Sequence, residues 1–313
     1  MSAEHKVLRL EVAEVGSSGC RVDTFIAESL RLFTRSQVRR RISEVRLNGK
    51  AVRLSKRVHN GDSVEISYTD APDTKVEPEA IPLDILYEDT NVLVLSKPQG
   101  MVVHPAAGNW SGTLVNALLH HSSGLAGSFP AGAARAGIVH RLDKDTSGVI
   151  ITAKNPEVLE FLARQFRLRR VGKQYLAVVH GALPQTRGIV ENRIGRDPRN
   201  RKRFTCLDGP GGGKVAVTRY RELGRVGENS LVSLRPRTGR THQLRVHMAY
   251  LGCPIVGDGL YGRNRSADPL MLHAYRLRLR LPGERRYRTF CAPLPERFRK
   301  YFRQSTGSRP GTG

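Results

Sequence analysis

The sequence predicts an α+β fold, a small basic N-terminal module ahead of a larger domain built on a sheet. Three observations lead there. Apolar runs of strand length, such as Val92 to Leu95 and Leu176 to Val179, are interleaved with a few stretches of helical spacing. Thr69 to Pro82 holds Pro72, Pro78 and Pro82 with several acids and little apolar content, which marks a linker. The run GIVHRLDKDTSGVII, Gly137 to Ile151, sets apolar ends around a polar centre from His140 to Gly148. Its ends, Ile138-Val139 and Val149-Ile150-Ile151, read as buried strands, so the centre turns at a sheet edge with Asp143 at a strand end. Burying such a charged cluster is costly, so the run is either a charged connection or a place for chemistry or a charged ligand.

A chain of 313 residues fits one large domain plus one small one. The division expected is a module over residues 1–70 (core 19–69), a linker over 71–82, a large domain over 83–303 and a disordered tail over 304–313. A net charge of +24 points to a polyanionic partner, with nucleic acid ahead of a membrane surface. There is no long apolar run, and MSAEHKVLRLEVAE carries acids where a signal peptide is apolar, so a soluble cytoplasmic protein is expected. Cys20, Cys206, Cys253 and Cys291 are too scattered for a zinc site or a disulfide framework.

In chain order, Val7, Leu8, Leu10 and Val12 suggest a short strand or arm, and Val22, Phe25, Ile26 and Leu30 a helix. A second helix opens on a Thr34/Gln37 capping box, with Val38 and Ile42 inward and Arg35, Arg39, Arg40 and Arg41 outward. Asn48-Gly49 marks a hairpin that carries Lys50, and Val64, Ile66 and Tyr68 alternate as a strand. Arg35, Arg39, Arg40 and Lys50 are the candidate RNA contacts of this module. The order resembles the small ribosomal-protein S-four (αL) RNA-binding module, whose work is to grip phosphates without reading bases.

In the large domain, Ile85 to Tyr87 and Val92 to Leu95 are strand-like, and a helix follows the cap Thr113. Asn155 and Pro156 cap and start a helix with Val158, Leu159, Leu162 and Phe166 inward. Arg164, Arg167, Arg169 and Arg170 lie at its negative end, more than stability alone requires, with Arg169 and Arg170 the candidate RNA contacts. Lys173 to Val179 is a buried strand, and the basic loop around Pro198, followed by Gly209 to Gly213, either meets phosphates or is disordered. After the strand Ser230 to Leu234 comes a helix capped by Thr241, with Leu244, Met248 and Leu251 buried and Gly252 as its stop. Strands near Leu272 to Leu281 and Arg286 to Cys291 close the domain.

The words HRLDKDTSG, His140 to Gly148, resemble the catalytic motif of the RluA/RluD-type pseudouridine synthases, and VVHP at Val102, KQY at Lys173, TGRTHQLR at Thr238 and GDGLYG at Gly257 extend the likeness over roughly residues 82 to 300. The VVHPAAGN wording and the basic module are most similar to the RluD branch. This resemblance implies a large mixed, mainly antiparallel sheet with a central cleft. It implies Asp143 as the essential acid, Tyr175 packed on the target base, Arg245 paired with Asp143, and Arg141 as the wedge that fills the vacated stack. Arg240, within TGRTHQLR, is a further RNA contact. It implies no cofactor or metal, a monomer, and a partner in ribosomal RNA or the pre-ribosomal large subunit. Two alternatives stay open: a synthase acting on transfer RNA, and a non-catalytic RNA-binding assembly factor.

Overall fold

The computed structural model describes residues 4–30, 33, 38, 41–70, 76–105, 109–122, 124–129, 135–200, 202–207, 212–262 and 268–307. The chain divides into two compact units, Met1–Lys75 and Val76–Gly313.

In the first unit, β1 (Glu4–Glu11), β6 (Ser63–Asp70), β3 (Ile42–Leu47) and β4 (Lys50–Ala51) form one antiparallel sheet, and β2 (Cys20–Arg21) pairs with β5 (Arg57–Val58). Asn48 and Gly49 both take positive φ, 51° and 77°, as a two-residue hairpin turn demands. The helical stretch from Val22 is a short α turn, Val22–Thr24, continued by a π turn, Phe25–Ser29. Val22, Phe25, Ile26, Val38, Val45, Val64 and Ile66 are buried together. Lys50 is exposed, whereas Thr34, Gln37, Arg35, Arg39 and Arg40 lie outside the described residues.

The second unit is organised by a ten-stranded sheet. Its strands are β7 (Ile85–Glu88), β8 (Val92–Lys97), β9 (Ser147–Ala153), β10 (Gly172–Val179), β11 (Arg187–Arg196), β12 (Phe204–Leu207), β13 (Lys214–Val226), β14 (Asn229–Pro236), β15 (Leu272–Leu279) and β16 (Arg288–Cys291). They run in the order β12-β11-β13-β14-β10-β15-β9-β8-β7, with β16 on β15. Among the described residues every pairing of this sheet is antiparallel except β15 with β9, which is parallel and only two residues long, His273 with Ser147 and Ala274 with Gly148. That short pairing is a seam. One apolar core gathers around β7 to β9, a second around β10 and β14, and Tyr175 packs against both. The strands approach so closely that a Cβ on Gly148, at φ 117°, would stand 2.2 Å from the Ala274 carbonyl oxygen, so only glycine fits.

Several local expectations are corrected. Ile138 and Val139 form no strand: Ile138 makes a single bridge to Thr152, and both residues are half-buried. The central run therefore opens onto the sheet's interior seam rather than an edge. The helix expected from Thr241 is Gln243–Tyr250. The Gln243 side chain accepts from Thr238 Oγ1 (2.8 Å) and Arg240 N (3.0 Å), holding the turn ahead of the helix open, with His242 left-handed at φ 54°. Regular structure passes Gln304, because the last helix is Glu296–Gly307. Part of the basic loop around Pro198 is strand, Phe204–Leu207 pairing with β11, while Arg201 and residues 208–211 lie outside the described residues.

Candidate active site

Over the seam opens a cleft of about 470 Å³. Three segments supply most of its lining: Val139 to Asp143 with Thr146; Phe166, Arg167 and Arg169 with Lys173 and Tyr175; and Pro236 to Arg245. Asp143 is the single acid of the described lining, against Arg141, Arg167, Arg169, Lys173, Arg237, Arg240 and Arg245. Such a ring of cations with low-dielectric walls concentrates an anionic ligand on one carboxylate.

The fold aims that carboxylate from below. His140 stacks on Phe166 (4.7 Å between centroids, 22° between planes), and its Nε2 accepts the Ile151 N–H at 3.2 Å. Burial and the charge of Lys173 push the imidazole down to about 3, so it is neutral and pins the loop to β9. Lys97 is fully buried, and its Nζ donates to the carbonyls of Pro98 (2.7 Å), Met101 (2.9 Å) and Lys144 (3.1 Å). Burial lowers this ammonium to about 8 against the opposing pull of Asp145 and Asp143. Arg297, half-sunk behind the seam and brought to about 10 by burial, donates to Ser147 Oγ at 2.6 Å.

Arg245 reaches the cleft, yet its main partner is not Asp143. Nε and Nη2 fork onto Asp258 at 2.7 Å each, leaving Nη1 at 3.9 Å from Asp143 Oδ2. Asp258, with no side-chain exposure, also accepts the Leu260 and Tyr261 N–H groups at 3.0 Å. Burial opposes its ionisation, but the Arg245 fork and those two amides outweigh burial and hold the carboxyl below the usual range. Tyr261 supports the guanidinium from beneath, its centroid 5.1 Å from Arg245 Cζ, while its hydroxyl accepts from Phe204 N and meets His242 Nδ1. On the other wall, burial and then the charge of Asp143 push Tyr175 up, so it stays a neutral phenol.

Of the residues singled out from sequence, Asp143, Tyr175, Arg245, Arg141, Arg169 and Arg240 share this cleft. Arg170 instead lines a separate groove, and Lys50 belongs to the first unit. Asp258, Lys97 and Phe166 were given no role at the site. Asp258 stands in the GDGLYG stretch, and an aspartate followed by turn residues is the signal that could have flagged it. Among the described residues no cluster of three or more His, Cys, Asp or Glu is arranged for a metal, and no helix is long and apolar enough to cross a membrane.

One carboxylate inside a cationic cleft, over the seam of an open mixed sheet, defines an enzyme that handles a polyanion. The family described as RNA pseudouridylate synthase matches residues 91–250. The chain is 44% identical over 294 residues to ribosomal large subunit pseudouridine synthase D of Borreliella burgdorferi, covering 91% of this chain and 89% of that one. It is 47% identical over 249 residues to the protein of the same name from Xylella fastidiosa, covering 79% and 72%. The solved structure of human RNA pseudouridylate synthase domain containing 1 superposes with a TM-score of 0.56 at 30% identity, covering 69% and 85%. The chain belongs to this family, among the RluA/RluD-type synthases, and is an RNA pseudouridine synthase, an isomerase.

Proposed function

We propose that this enzyme converts uridines of large-subunit (23S) ribosomal RNA to pseudouridine in the bacterial cytoplasm, with Asp143 as the essential acid. The observation that carries this is Asp143 as the single acid among the described residues lining the cleft, 3.9 Å from a guanidinium that Asp258 locks. The names of the relatives from Borreliella burgdorferi and Xylella fastidiosa support ribosomal over transfer RNA.

The reaction breaks the N1–C1′ bond and joins C5 to C1′; the proton leaves C5 and N1 gains one, so no oxidant or energy source is consumed. A stacked uridine must first flip out, at a cost of a few kcal/mol that is least in a loop. Arg141, exposed on the rim, takes the vacated place. Tyr175, kept neutral, packs on the flipped ring without repelling Asp143. Asp143, 3.9 Å from the Arg245 guanidinium, is the nucleophile or base. Arg169 and Arg240 hold flanking phosphates, and the module over residues 1–70 adds phosphate grip through Arg35, Arg39, Arg40 and Lys50. The enzyme acts as a monomer.

Asp143→Asn is expected to abolish conversion and leave RNA affinity within a few-fold, read by pseudouridine mapping beside a binding titration. Cells lacking the protein lose pseudouridines from large-subunit RNA; loss confined to transfer RNA sinks the substrate assignment.

A further inference from the structure

Away from the cleft, residues 276–288 read RLRLRLPGERRYR, six arginines against one acid. Strand alternation sorts them. Leu277 and Leu279 are buried in the core, so Arg276 and Arg278 of β15, and Arg280 just past its end, project from the opposite face. These guanidiniums sit on aromatic rings: Arg276 Cζ is 5.6 Å from the Tyr275 centroid, while Arg278 and Arg280 are 4.5 and 4.9 Å from that of Tyr287. Arg288 lies 4.4 Å from the Tyr87 centroid. Among the described residues only Arg288 of these four has a carboxylate within ion-pair distance, Glu284 at 3.4 Å. A ring orders a guanidinium without neutralising it; Arg276 also hydrogen-bonds Cys291 and Tyr275, so the N–H edges left open are chiefly those of Arg278 and Arg280. Ordered like charges held this close call for an anion.

The row ends in a groove of about 480 Å³ lined by Phe161, Arg164, Leu168, Arg170, Arg280 and Tyr287. Gln165 fixes its floor, donating to the Arg280 carbonyl (2.9 Å) and accepting the Arg280 N–H (3.0 Å). This groove and the active cleft share one wall. Phe166, Arg167 and Arg169 face the cleft; Arg164, Leu168 and Arg170 face the groove. The wall is a helix ending in which Arg169 N bonds Phe166 O (3.1 Å) and Arg170 N bonds Gln165 O (2.9 Å). Its left-handed position, ordinarily glycine's, is held by Arg169 at φ 56°.

We infer that the groove and the β15 arginine row form a second RNA-binding track, taking the phosphates of the strand as it leaves the cleft across the helix end. The track rests on RNA being the substrate, as proposed above. Phosphates meet the guanidinium edges, and an unpaired base lies against the exposed Phe161 and Leu168.

The test uses full-length protein with Arg278→Ala/Arg280→Ala and, separately, Phe161→Ala, against transcribed large-subunit RNA. Two lost phosphate contacts should lower the slope of log affinity on log salt by about two. KM should rise at least several-fold while kcat at saturating RNA changes less than twofold. Phe161→Ala should weaken binding and leave the salt slope as in wild type. Wild-type affinity and slope in the double variant, with its thermal melt intact, overturn the track. So does unchanged RNA binding coupled to lost binding of an acidic protein. Because binding is read apart from turnover, a wild-type protein that binds this RNA without modifying it sinks the substrate assignment and not the track.

Discussion

Replacing Asp258 by asparagine keeps the side chain's size and removes one charge from a buried pair. Asp258 has no side-chain exposure and Arg245 has 11%, and their two bonds are 2.7 Å each. The amide turns donors toward the Arg245 donors and strands a buried guanidinium, a loss of about 3–5 kcal/mol. For a unit as long as Val76–Gly313, each kcal/mol moves Tm by about 2–4 °C, so a fall of roughly 6–20 °C is expected. The pH dependence has a definite sign. The Asp258 carboxyl titrates below its unfolded value, so its contribution is full above the usual carboxylate range and is lost as pH falls through the folded value. Wild type and Asp258→Asn should therefore converge in stability under acid and separate toward neutrality. Turnover should fall as well, since the fork aims the nitrogen that faces Asp143. Thermal melts by circular dichroism across pH decide the matter. A drop below about 2 °C at pH 7, or a gap that widens in acid, refutes the reasoning.

Two other outcomes follow from the same geometry. Arg169→Gly relieves a left-handed residue, worth about 1–2 kcal/mol, and gives back about 0.5–1 kcal/mol in unfolded-chain entropy, so the melt should hold or rise while KM for RNA increases. A lower Tm with unchanged KM would contradict that account. Lys97 titrates at about 8 in the fold against an unfolded 10.5, so between those values the unfolded chain binds the extra proton and stability rises with pH. Compared with Lys97→Met, wild type should gain about 3 kcal/mol between pH 8 and 10.5, read by urea denaturation; a constant gap excludes it.

Legibility varied with the range of the forces involved. Asn48-Gly49, the Asn155 cap and the helix at Leu114 could be read because turns and caps are set by neighbours a few residues away. Ile138-Val139 has the apolar look of a strand yet forms none, because an apolar pair gives no sign of whether a ladder partner will align with it. The start of the helix at Gln243 was misplaced for a related reason. Threonine is a good cap in general, but here the Gln243 side-chain Oε1 takes the Thr238 hydroxyl and the Arg240 N–H and sets where the helix starts. The grouping of Asp143, Tyr175 and Arg245 came from the wording of the chain rather than from periodicity, since the three stand on separate elements.

By itself, the order of residues determined an α+β chain, a polyanionic partner and, through one long motif, the reaction family. Those properties are sums over composition or matches over contiguous words, and they survive without coordinates. Which acid holds Arg245, which lysine carries the Asp143 loop, and that Arg169 and Arg170 part into different grooves were decided only by the tertiary structure. An ion pair or a buried ammonium depends on separations of a few ångströms and on excluded water, and both are created when distant strands close over a common seam.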